Sequence, residues 1–221
     1  MNIEELSRCF ANLYPEELEK IGLFKKQIPY SKSELIFKQG TFAHHVFFII
    51  DGIVKTYIQT DFDKQLNIKI STTGEFLAFN TVYGEKYYQY SASAIRNSTI
   101  CMIEKDALLK LILSNPDFAY QINSRNMYDE NRMLEIIRNI SYKQMRGKLA
   151  STLLYIYEIS QKSENIFPLL TRQDLAEFAS INTESAIKIL KEFEQEYIIE
   201  LKNKDIVIKS LNKLDEISRK G

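Results

Sequence analysis

Five polar side chains gather near the start of one stretch: Thr183, Glu184, Ser185, Lys188 and Lys191. Ala186, Leu190, Phe193 and Tyr197 recur at helical spacing and are expected to face a core, leaving the five outside. The chemistry such a set offers is hydrogen bonding to base edges. Glu184 can accept from a cytosine amino group and Lys188 can donate to guanine O6 or N7. Thr183 and Ser185 suit phosphate or mixed contacts, and Arg172, Lys202 and Lys204 suit positioning on a phosphate backbone.

Other chemistries find less material. No Ser/His/Asp set, phosphate-cradling glycine loop or converged carboxylate pair stands out, so no catalytic residues are assigned and no enzyme is expected. His44 and His45 are the only histidines, and adjacent residues of a strand point to opposite faces, so a metal site is not expected. Cys9 and Cys101 are too few to hold an iron–sulfur cluster by four thiolates. They read as reduced thiols, and no cofactor is predicted.

The flanking residues supply what must hold the five in place. Thr171 is an N-cap with Asp174 three residues on, and Leu175, Ala176 and Phe178 give a first helix its apolar face. Ala179, Ser180 and Ile181 make a turn, and Asn182 caps a second helix beginning at Thr183. Residues 198–202 and 206–208 then read as a β-hairpin around Asn203, Lys204 and Asp205. The layout is a helix-turn-helix followed by a wing. The runs T-R-Q-D-L-A-E-F and T-E-S-A-I-K-I-L-K-E-F-E resemble the DNA-binding signature of the Crp/Fnr family of bacterial transcription regulators. Two positions depart from that family's usual pattern: Ser180 replaces the turn glycine and Lys188 replaces a base-reading arginine.

Upstream, short apolar runs punctuated by glycines and polar clusters fill 28–103, at 35–37, 46–50, 54–58, 66–70, 92–95 and 100–103. That spacing predicts an antiparallel, jelly-roll-like β-roll. Lys38-Gln39-Gly40, VFFIIDGIVKTYI and ISTTGEF resemble the cyclic-nucleotide-binding roll of the same family, which implies a sensor domain. In the family's cyclic-AMP binders a Gly-Glu pair holds the ribose and an Arg-Ser pair the phosphate. Counted from Gly74, those pairs fall here on Ala78 and Phe79, and on Gln89 and Tyr90. A phosphate without its cation loses charge-assisted bonds worth roughly 1.5–3 kcal/mol each, so cyclic AMP is not expected as the ligand. Phe76, Ala78, Phe79, Gln89 and Tyr90 are the candidate effector pocket, either lined for a flat or apolar effector or filled by its own aromatic side chains.

Residues 3–24 read as helical, with Leu18, Ile21 and Leu23 packing inward. Pro116 opens a long helix from Asp117 to about Asn139, a hinge follows at Ser141 and Tyr142, and further helices cover 148–159 and 211–217. The expected class is α+β: a β-roll sensor over 1–115, a connecting helix over 116–140, and a winged helix-turn-helix over 141–221. The resemblance implies that the long helix makes a homodimer, with double-stranded DNA and RNA polymerase as further partners.

Hydrophobic residues make up 45% of the chain, enough for real cores. Lys plus Arg and Asp plus Glu are 29 each, so no global basic charge drives nucleic-acid binding. Glu192, Glu194 and Glu196 crowd the end of the second helix, while Lys143, Arg146 and Lys148 are basic groups available nearby. With no signal-peptide pattern and no run of ~20 apolar residues, a soluble cytoplasmic protein with no membrane partner is expected. The balanced charge leaves open a ligand-sensing or partner-binding role in which the C-terminal domain contacts protein.

Overall fold

The computed structural model describes residues 13, 15–20, 27–61 and 64–221. Cys9, Ile21, Leu23, the Leu18 side chain and most of the helix expected over 3–24 lie outside the described residues; within it, α1 spans Pro15–Lys20. Contacts divide the chain into two compact units, one over 1–62 and 69–131, the other over 132–221 with 63–68.

The first unit is built on two four-stranded sheets. Strands β1 (Gln27–Tyr30), β8 (Ser98–Glu104), β3 (His45–Asp51) and β6 (Phe76–Leu77) form one in that order. Strands β2 (Leu35–Phe37), β7 (Ser91–Ala94), β4 (Ile53–Asp61) and β5 (Lys64–Thr72) form the other. The pairings that carry a register are antiparallel, with Phe48 opposite Cys101 at the centre of β3 and β8.

The continuous apolar run of β3 follows from burial on both faces. Phe47 and Ile49 point between the sheets, against Phe37, Val54, Ala92 and Ile100. Val46, Phe48 and Ile50 point the other way, onto Leu108 and Leu111 of α2 (Lys105–Ser114) and Phe118 and Ile122 of α3 (Pro116–Tyr142). Helix α2 was not anticipated from the sequence. Its signal is there in Leu108 and Leu111 at helical spacing, with Asp106 in the first turn.

Helix α3 runs to Tyr142 and α4 spans Met145–Lys162, so the break falls at Lys143 and Gln144, two residues beyond the expected hinge. Nothing at Ser141 or Tyr142 interrupts the helical backbone: neither is a proline or glycine.

In the second unit α4 lies against α5 (Arg172–Ala179), α6 (Thr183–Gln195) and α7 (Leu211–Lys220). Leu149, Leu153, Ile156, Leu175, Ala186, Leu190, Phe193 and Leu214 form its buried interior. Strands β9 (Ile199–Lys202) and β10 (Asp205–Ile208) pair antiparallel, Lys202 opposite Asp205, which leaves Asn203 and Lys204 as a two-residue loop. Asn203 takes φ +56°, a left-handed conformation that asparagine tolerates better than most residues. At Gly147 a Cβ would lie 2.6 Å from the Gly221 backbone, so α4 and α7 meet where only a hydrogen fits. The expected α+β architecture, with an antiparallel β-roll, a long helix and a winged helix-turn-helix, is the one observed.

A candidate nucleic-acid interface on helix α6

Helix α5 begins with a reciprocal cap. Thr171 Oγ1 accepts from the Asp174 N–H at 3.0 Å, and Asp174 Oδ2 accepts from the Thr171 N–H at 2.8 Å. It ends where Ser180 enters the left-handed region at φ +52° and ψ +46°. There the Ile181 N–H reaches Ala176 O at 3.0 Å and the Ser180 N–H reaches Glu177 O at 3.4 Å. That pair of bonds is a Schellman closure, and it reverses the chain into α6. Asn182 Oδ1 then accepts from the Ser185 N–H at 2.7 Å, capping α6 as expected.

Helix α6 closes in the same way, with consequences for its buried face. Tyr197 takes φ +56°; the Ile198 N–H bonds Phe193 O at 2.9 Å and the Tyr197 N–H bonds Glu194 O at 3.0 Å. The reversal throws Tyr197 outward, 83% exposed, and brings Ile198 into the core. Tyr197 was expected inside; the helical period that placed it there stops at Gln195. Ala186, Leu190 and Phe193 are buried as expected, and Ile189 joins them.

Glu184, Lys188 and Lys191 are exposed on α6, with Thr183 and Ser185 half-buried at its start. Arg172 is half-buried: its Nη2 donates to Asn203 O at 3.3 Å, and burial pulls its pKa below the usual arginine range. It therefore ties α5 to the wing loop. In the wing, Lys204 is exposed and Lys202 lies 3.5 Å from Glu200, which also pairs with Lys209. The Leu201 N–H donates to Glu194 Oε1 at 3.0 Å, joining the wing to α6.

Two of the basic groups counted as available have structural work. Arg146 Nη1 meets Glu192 at 2.8 Å and its Nη2 meets Glu196 at 2.9 Å, with the guanidinium 5.0 Å over the Phe193 ring. Two of the three glutamates that crowd the end of α6, Glu192 and Glu196, are thus its anchor to α4. Lys143 Nζ donates to Ser151 Oγ at 2.8 Å and Ser218 Oγ at 3.1 Å, and burial followed by repulsion from Arg138 lowers its pKa. One exposed residue on α6, Ile187, was not singled out by sequence reasoning; its signal was an apolar residue out of phase with the buried series.

In the roll, the five candidate effector residues do not converge. Phe76 and Phe79 meet edge to face, ring centroids 5.4 Å apart, on the helix-covered face, and Phe76 also packs against Phe48 at 5.0 Å. Ala78 and Tyr90 belong to the core between the sheets, where the Ala78 N–H donates to Tyr90 Oη at 2.7 Å. Gln89 is exposed and its Nε2 donates to Glu85 Oε2 at 3.2 Å. Phe37 packs at 4.5 Å from Tyr88, 5.0 Å from Phe47 and 5.6 Å from Tyr90, so aromatic rings occupy this interior. Tyr88 Oη donates to His45 O at 3.0 Å, and burial raises its pKa. Burial also pushes the Cys101 thiol up to about 11. His44 is exposed and stacks on Phe42. Among the described residues no cluster of histidine, cysteine and carboxylate groups could hold a metal ion, and no helix is long and apolar enough to cross a membrane.

Two family models match this chain: a cyclic nucleotide-binding domain over residues 27–115 and a Crp-like helix-turn-helix domain over 147–217. The regulatory protein HlyX of Actinobacillus pleuropneumoniae is 23% identical over 98% of this chain and 90% of its own length. The chain belongs to the Crp/Fnr family. Another Crp/Fnr relative, the cAMP-activated global transcriptional regulator CRP of Salmonella typhimurium, is 24% identical over 92% of this chain and 91% of its own. A Crp/Fnr regulator from Eubacterium rectale superposes with a TM-score of 0.76 at 16% identity, covering 98% of this chain and all of that one. CooA from Carboxydothermus hydrogenoformans, in a mutant form, also gives 0.76, at 20% identity and 99% and 96% coverage. Within the Crp/Fnr fold, Ser180 therefore adopts the left-handed conformation expected of a glycine.

Proposed function

We propose that this protein is a sequence-specific, DNA-binding transcription regulator of the Crp/Fnr type that binds an inverted-repeat operator as a homodimer and is not controlled by cyclic AMP. The observation that carries the reading is the outward face of α6. Glu184, Lys188 and Lys191 stand exposed on a helix whose opposite face is buried and whose start is fixed by the Asn182 cap. A helix held this way presents base-reading groups to the major groove. Lys188 is the guanine donor and Glu184 the cytosine acceptor; Thr183, Ser185 and Lys191 flank them, and Lys202 and Lys204 meet backbone phosphate. Arg172 acts through the wing loop it holds.

Dimerisation draws support from α3. Met133, Leu134, Ile137 and Ile140 are exposed at helical spacing, an apolar seam that a second copy of the helix would cover. Against cyclic AMP stand the aromatic filling between the sheets and the absence of a cation at Gln89 and Tyr90. The roll as sensor, RNA polymerase as the partner acted on, and a cytoplasmic location complete the proposal.

Selection of bound fragments from a random duplex pool tests it. The expected product is an inverted repeat with half-sites about 34 Å apart, bound by two protomers. Failure to enrich any sequence, or protection of an unpaired half-site by a monomer, would overturn the reading. Calorimetry with cyclic AMP should show no micromolar binding; a micromolar isotherm would sink that part alone.

A further inference from the structure

Ile187 has no place in the assignments above. The other large apolar side chains of α6, Ile189, Leu190 and Phe193, are buried, whereas Ile187 is 38% exposed. It follows Glu184 by three residues and precedes Lys188 and Lys191 by one and four. At about 100° per residue this puts it on the flank of the outward face, about 60° round from Glu184 and about 40° from Lys191. Helix stability does not explain it. A β-branched residue is a poorer helix former than the lysines and glutamates around it. Phosphate oxygens offer a branched hydrocarbon nothing. Among unmodified base edges in the major groove, one apolar group is on offer, the C5 methyl of thymine.

We infer that Ile187 reads a thymine methyl, and so specifies a T·A pair in each operator half-site beside the base pairs met by Glu184 and Lys188. The inference rests on the DNA-reading function proposed above and names the base class that function selects. Burying one methyl group is worth about 0.8 kcal/mol, or roughly fourfold in affinity.

The test uses the selected operator, with each thymine of one half-site replaced in turn by deoxyuridine, which lacks only the C5 methyl. Affinities are read by fluorescence anisotropy at fixed salt, for the parent chain and for Ile187→Ala, whose helix content is checked by circular dichroism. The parent should lose about fourfold at one thymine, and Ile187→Ala should lose nothing there. A parent indifferent to every methyl, or a methyl effect that survives in Ile187→Ala, overturns the inference while leaving DNA reading intact. Absence of any bound duplex overturns both.

Discussion

Replacing Ser180 by glycine should stabilise the C-terminal unit. The substitution removes a side chain from an exposed position at φ +52° and ψ +46° and leaves the two closing bonds, at 3.0 and 3.4 Å, to the backbone. An L-residue in this conformation is strained by ~1–2 kcal/mol, because its Cβ crowds the following carbonyl. Glycine returns part of that, ~0.5–1 kcal/mol, through the greater freedom of its unfolded chain. The net gain is about 0.5–1 kcal/mol, which in a unit of this size raises the melting temperature by roughly 2–8 °C. Ser180→Ala keeps the Cβ and should gain nothing, so it isolates the backbone effect from loss of the hydroxyl. Thermal unfolding by circular dichroism reads the unit as a whole. Hydrogen exchange at the Ile181 amide, donor of the 3.0 Å bond, reads the turn directly. If Ser180→Gly melts at or below the parent, as Ser180→Ala does, strain at this turn is not what limits its stability.

A charge at the centre of the α3 seam should prevent the proposed pairing: Ile137→Glu, at a position 59% exposed in one chain, should sediment as a monomer and the parent as a dimer. Arg146→Met should reduce stability by about 1 kcal/mol, since both ion pairs are partly open to solvent, and the difference should shrink in 1 M salt. A loss indifferent to salt would place the contribution in packing on Phe193. Asp51 titrates below the usual aspartate range because Arg96 binds it through two hydrogen bonds, at 2.8 and 3.0 Å. A depressed folded-state pKa adds stability above the unfolded value and loses it as pH falls through the lowered one. Arg96→Ala should therefore narrow the gap to the parent on the acid side alone, and carboxyl NMR should find Asp51 back near its ordinary value.

What could be read from the sequence was what local chemistry encodes. Thr171 with Asp174, and Asn182 before Thr183, announce helix starts because a side-chain oxygen answers an amide within three residues. The short apolar runs of the roll mark strands because glycines and polar clusters bound each of them. The departures arise where a position is decided by geometry further off. Tyr197 fits the helical period, but the left-handed turn that ends α6 rotates it out and Ile198 in. Arg146 looks like any surface cation until α4 is laid against Glu192 and Glu196. The candidate effector residues are close in sequence, yet the Ala78 backbone at φ +58° sends Phe79 to one core and Tyr90 closes the other. Ile187 is hidden among the apolar residues of α6 until the fold shows Ile189 and Leu190 buried and Ile187 outside their phase.

Strand β3, apolar from Val46 to Ile50 and buried on both faces, is also a liability while the chain is being made. Its main partner, β8, leaves the ribosome only after four intervening strands, at ~5–20 residues per second. For some seconds an uncharged, β-prone pentapeptide is without the strand that will cover its edge, which makes it a natural perch for a nascent-chain chaperone and a nucleus for inclusion bodies when expression outruns folding.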